Sequence, residues 1–224
     1  MKKLSFVVTG FVFSILLFGC ASYNAVVPTA ANYTNNAMAV EKVVDDVKVG
    51  ALPVCTKEDA KKFFDDETLS RNGLIPIYVY IALVNNAPDH RITSIAIKTP
   101  DNKVLERLSL EDAYTEVKKW YAGRVLAWGL LAPIAMPFSA INVSNTNDRI
   151  REDMTAKEFV AKEVKKGEIA QGFVYFKVDE KTTSLDGYSA IFSFQGSDDE
   201  KTHEVVLPLK GKITAKSDET GEKK

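Results

Sequence analysis

His90 and His203 are the only histidines in the chain, which limits the acid–base and metal chemistry it can offer. Neither has metal-ligand spacing to another His or Cys, and each reads as a solvated side chain, one in a turn and one at a strand start. Cys55 has no histidine or basic cluster beside it to lower its pKa, as a nucleophilic thiol requires, and reads as a small buried apolar residue. Serine never falls in Gly-x-Ser-x-Gly, and there is no phosphate-cradling glycine loop or HExxH. The acid clusters Asp65-Asp66-Glu67 and Asp198-Asp199-Glu200 lack the alternating ligands and turn glycine of a calcium loop and read as turns. Strand spacing puts Tyr78 with Tyr80, and Phe173 with Tyr175, on common faces, which core packing explains. The expectation is a protein that is not an enzyme, with no catalytic residue, cofactor, metal or small-molecule substrate.

Cys20 is the residue with a definite chemistry. It closes a segment that opens on Lys2 and Lys3, runs through an apolar core from Leu4 to Phe18, and ends in Leu17-Phe18-Gly19-Cys20. That is the layout of a secretory signal, and the core is short of the roughly 20 apolar residues a spanning helix needs. The residues Leu17, Gly19 and Cys20 resemble the lipobox of bacterial lipoproteins. The resemblance implies cleavage between Gly19 and Cys20 and lipidation of Cys20, with slowed cleavage because Phe18 stands where a small residue is usual. It also implies localisation in the cell envelope. Ala21 and Ser22, with no following aspartate, point by the same resemblance to the periplasmic face of the outer membrane. Two or more acyl chains, at about 0.8 kcal/mol per buried methylene, hold a protein on a bilayer without a span. The expected partners are the membrane, through the N-terminal lipid, and an envelope protein.

The elements that position the rest follow from composition and pattern. At 46% hydrophobic and 26% charged, with a formal net charge of -1, the chain has the makings of an ordinary globular core. It lacks the basic footprint of a nucleic-acid binder. Residues 1–19 are the expected signal peptide and 20–40 a lipidated N-terminus and flexible tether. Residues 41–211 form one β-rich domain, and 212–224 a disordered charged tail. A first strand is expected over Val43 to Ala51, then a helix from Lys57 to about Asp65 capped by Thr56. Ile75 to Val84 is too apolar to keep one face in water and reads as a central strand. Further strands are expected over Arg91 to Lys98 and Val104 to Leu108. Ser109-Leu110-Glu111-Asp112 opens a helix, and Thr155-Ala156-Lys157-Glu158 is a capping box that opens another through Val164. Strands return at Ile169 to Val178, Tyr188 to Phe194 and Glu204 to Leu209.

Two groups of strands therefore flank a helical middle, about 109–166. The economical fold is mainly β: one antiparallel β-sandwich with an apolar helix or hairpin inserted between its halves. Asn72-Gly73-Leu74-Ile75-Pro76-Ile77-Tyr78-Val79, Asn85-Asn86, and Gly167 followed by Gln171-Gly172-Phe173-Val174-Tyr175-Phe176 resemble immunoglobulin-like and telokin-like lipoprotein domains. The resemblance covers about half of the mature chain and implies an immunoglobulin-like sandwich and an envelope location, but no common activity.

Residues 125–141, from Val125 to Ile141, carry no charge. Pro133 and Pro137 would each remove a helix hydrogen bond. Three arrangements fit: a membrane span, with Arg149, Arg151 and Lys157 beyond it; a hairpin in one leaflet, with Arg124 and Trp128 at headgroup level; or a helix buried against the sandwich or a partner. The expected contact residues are Arg124, Val125, Trp128, Leu130, Leu131, Ile134, Met136 and Phe138. The leading function is a non-enzymatic structural or protein-interaction role in the envelope. The alternative is a membrane-active accessory factor whose hairpin enters a bilayer or meets an integral membrane complex.

Overall fold

A computed structural model describes residues 36, 39–65, 69–84, 88–117, 136–196 and 201–213. It is mainly β, with two antiparallel sheets and three helices. The first sheet holds β1 (Val40–Val44), β2 (Val47–Pro53), β3 (Leu74–Leu83) and β7 (Ile169–Lys177), in the order β1-β2-β3-β7. The second holds β4 (His90–Lys98), β5 (Val104–Glu106), β8 (Ser189–Gly196) and β9 (Thr202–Pro208), in the order β5-β4-β8-β9. The short β6 (Glu163–Val164) pairs with β4. The helices are α1 (Lys57–Phe64), α2 over residues 110–117, and α3 (Met136–Lys157).

Beyond the exposed edge strand β1, the first sheet is buried on both faces, and strand alternation assigns the layers. Val47, Val49 and Ala51 of β2, with Ile75, Ile77, Val79 and Ile81 of β3, face the second sheet and meet Ile95, Ile97, Phe192 and Phe194 in one apolar cluster. The intervening Leu52, Leu74, Tyr78, Phe173 and Tyr175 point the other way. They pack with Phe63 and Phe64 of α1, Tyr114 and Val117 of α2, and Ile150 and Met154 of α3. This accounts for the unbroken apolar run of β3, which lies between β2 and β7 as expected of a central strand.

Thr56 caps α1, accepting from the Asp59 amide at 3.1 Å, and Ser109 does the same for the Asp112 amide at 3.1 Å. Both helix starts are where the sequence puts them. Three other expectations are corrected. Val43 to Ala51 is no single strand, because Asp45 and Asp46 adopt left-handed backbone (φ 49° and 62°) and turn β1 into β2. Thr155 opens no helix: it lies near the end of α3 and its hydroxyl donates to the Arg151 carbonyl at 2.7 Å. Inside a helix a Thr hydroxyl bonds back to the i−4 carbonyl instead of capping forward. The chain after it forms β6, so the stretch read as helical to residue 166 contains a strand. Lys212 bridges to Ser184 and Ile213 is buried, which draws the start of the expected tail into the fold.

The open side of β7 is covered by backbone. Leu108 N donates to Tyr175 O at 2.7 Å and Phe159 N to Phe173 O at 2.9 Å. Such cover removes an edge that could template aggregation. Gly172 (φ +155°) allows it, since a Cβ there would lie 2.7 Å from Phe159 N.

Candidate functional site

Two polar groupings emerge that no single sequence segment contains. The first lies beneath α3. Lys157 has a side chain only 2% exposed. Its Nζ donates to the Phe63 carbonyl and to Asp153 Oδ2, each at 2.6 Å, and lies 5.5 Å from the centre of the Phe64 ring. Phe63 is in the last turn of α1, where carbonyls have no partner within the helix. Lys157 therefore caps α1 from another helix and spends two of its three donors doing so. Burial holds its ammonium below the usual value near 10.5, with Asp153 pulling the other way.

Beside it, Tyr175 packs edge-on to Phe64, with ring centres 6.2 Å apart. Its hydroxyl is buried without a hydrogen-bond partner among the described residues. Burial, with Asp153 and Glu158 near, pushes the phenol well above its ordinary value. A buried hydroxyl left unpaired costs on the order of 1–3 kcal/mol. An amine of lowered pKa is the raw material of amine chemistry, but while α3 is docked this one is sealed from solutes.

The second grouping joins the two histidines, whose rings are 6.5 Å apart. His90 is not the solvated turn residue expected. It is buried at the start of β4, with Nδ1 2.7 Å from the Pro88 carbonyl. Its partner in the sheet register is Gly196, and burial follows from strand pairing that a linear reading could not supply. His203 is part-exposed, and its Nδ1 lies 3.1 Å from Asp45 Oδ2, linking the β1–β2 turn to β9 of the other sheet. Among the described residues, no three of His, Cys, Asp and Glu gather as a metal site.

Comparison with family models, curated proteins and solved structures finds no match for the chain. Cys55 is fully buried, as expected, and desolvation with nearby Asp59 pushes its thiol up to about 12. Tyr78, Phe173 and Tyr175 are core aromatics, and Tyr78 donates to Gln171 Oε1 at 2.8 Å. Asp65 is the left-handed cap ending α1.

Gly19 and Cys20 lie outside the described residues, as do Arg124, Val125, Trp128, Leu130, Leu131 and Ile134. Met136 and Phe138 fall in the first turn of α3. No helix among the described residues is long and apolar enough to cross a membrane. The sequence reading missed the Lys157 junction. Its one available signal was the i,i+4 spacing of Asp153 and Lys157, which surface helices share.

Proposed function

We propose that this chain is a lipid-anchored cell-envelope protein with a non-enzymatic structural or protein-interaction role, held through Cys20 on the periplasmic face of the outer membrane. The observation that carries the reading is the segment Lys2 to Cys20, with its basic start, apolar core and Gly19-Cys20 junction. The body is then an immunoglobulin-like β-sandwich with a helical insertion between β5 and β6. The cluster shared by the two sheets and the placement of α2 and α3 over one outer face support that architecture. Asn36 contacts Asp59 at the start of α1 at 3.3 Å. Fifteen residues lie between it and Cys20, so the domain stays within about 55 Å of its anchor even when that stretch is fully extended.

A second reading, in which residues 125–141 enter the same bilayer or meet an integral membrane complex, is favoured by one observation. Ala39, at the end of the tether, packs on the same cluster as Val117 and Ile150, which flank the apolar stretch. The described residues nearest the anchor and on either side of the stretch thus share the helix-covered side. The intact mass of the chain from membranes tests the first reading. A mature N-terminus at Cys20 carrying diacylglycerol and an N-acyl group is expected, and an unmodified Cys20 would overturn it. Cys20→Ala should then release the domain to the soluble fraction, whereas carbonate-resistant retention of that variant would favour the second reading.

A further inference from the structure

We propose that His90 and His203 form a two-imidazole site for a borderline divalent transition-metal ion such as zinc, at the end of the domain where the β1–β2 turn meets the second sheet. This goes beyond the envelope role and is independent of it, because it rests on the folded domain alone.

Strand pairing brings the chain's two histidines to one end of the second sheet, on strands separated only by β8. His90 lies opposite Gly196 of β8, while His203 lies opposite Phe194, whose other neighbour is Ile92. Phe194 points into the cluster between the sheets. Residues directly opposite, or two apart on one strand, share a face, so both imidazoles belong to the inner face. Gly196 adds no side chain to the space they share, and the ring centres are 6.5 Å apart.

Each ring is also oriented as metal-binding imidazoles are. A ligating histidine donates its second ring N–H to a carboxylate or a backbone carbonyl, which fixes the tautomer and raises the basicity of the other nitrogen. His90 has the carbonyl, with Nδ1 2.7 Å from Pro88 O, and His203 has the carboxylate, with Nδ1 3.1 Å from Asp45 Oδ2. An oxygen acceptor at Nδ1 draws the proton there in the neutral ring, so Nε2 carries the lone pair in both. Imidazole suits zinc, copper and nickel ions. An ion bound through Nε2 lies about 3.2 Å from the ring centre, so two rings on one ion have centres roughly 5–6.5 Å apart, depending on the ligand angle. The observed separation is at the wide end of that range, and a small rotation of the part-exposed His203 narrows it. Two protein ligands with water in the remaining positions make an exchangeable site, whereas a structural zinc site takes four.

The test is NMR of the histidine ring nitrogens in the unaltered full chain, made without a histidine tag, held in detergent micelles and titrated with Zn²⁺. With two histidines in the chain, every such signal belongs to one or the other. Both Nε2 signals should shift together and saturate at one ion per chain, while both Nδ1 atoms keep their protons. Movement of one ring alone would overturn the proposal, as would Zn²⁺ that leaves both rings unmoved. Calorimetry then reads the affinity. His203→Gln should weaken Zn²⁺ binding at least tenfold. Asp45→Asn keeps both imidazoles and suits the left-handed backbone of that position, yet should weaken binding about tenfold by removing the carboxylate behind His203. An affinity that ignores either substitution would equally overturn the proposal.

Discussion

Cys55 shows how burial turns one side chain into a pH-dependent contribution to stability. Its thiol ionises near 9 when solvated and near 12 in the fold, because desolvation penalises the thiolate. The fold thus favours the protonated form. That contribution is complete below pH 9 and is lost as pH climbs toward 12, at about 1.4 kcal/mol per pH unit. Lys157 has the opposite sign: with its pKa held below 10.5, its contribution to stability rises with pH between the lowered value and 10.5. Tyr175 joins Cys55 only above its unfolded value of 10. Between pH 9 and 10 the difference between wild type and Cys55→Ala isolates the thiol. Urea unfolding should show the stability of the variant falling with pH less steeply, by about 1 kcal/mol over that unit, since the unfolded thiol is already half ionised at pH 9; equal slopes would mean that the thiol is already solvated in the folded state.

At the scale of elements, β7 shows why strand pattern alone does not settle an edge. Its alternating residues predict a strand correctly, but the cover along its open side comes from Leu108 and from residues 158–159, outside the strand's own pattern. Gly172 is where that cover approaches too closely for a side chain. Gly172→Ala should cost about 3 kcal/mol, since the added methyl meets backbone that cannot move aside cheaply. Gly167→Ala, with left-handed φ but nothing within 4 Å of the added carbon, should cost only about 1 kcal/mol. Comparing the two urea midpoints separates the steric cost from the conformational one, and equal losses would show that the close approach carries no energetic weight. The Asp45-Asp46 turn is a related case. Neither residue is glycine, so nothing in the local composition forces left-handed backbone at both, and the expected single strand resolves into a hairpin.

For the whole molecule, the decisive arrangement is a sheet buried on both faces. Its inner face meets the second sheet and its outer face meets three helices. Every strand among the described residues lies outside 125–141. Deleting that stretch should therefore leave the far-ultraviolet β signal and a cooperative thermal transition in place, at a lower midpoint because α3 is shortened. Loss of both signals would make the stretch part of the core.

By itself, the sequence determined the β-rich class, the central position of β3, the caps at Thr56 and Ser109, and the burial of Cys55. These rest on local periodicity, on capping hydrogen bonds within four residues, and on transfer of apolar groups from water, all legible along a line. Tertiary structure alone decided the burial of His90, the meeting of His203 with Asp45, and the Lys157 junction beneath α3. Those depend on strand register and helix docking, which join residues as much as 158 positions apart. Lys157 looks like a surface lysine until the last turn of α1 is placed beside it, because whether a charge is solvated or buried is a property of its neighbours in space.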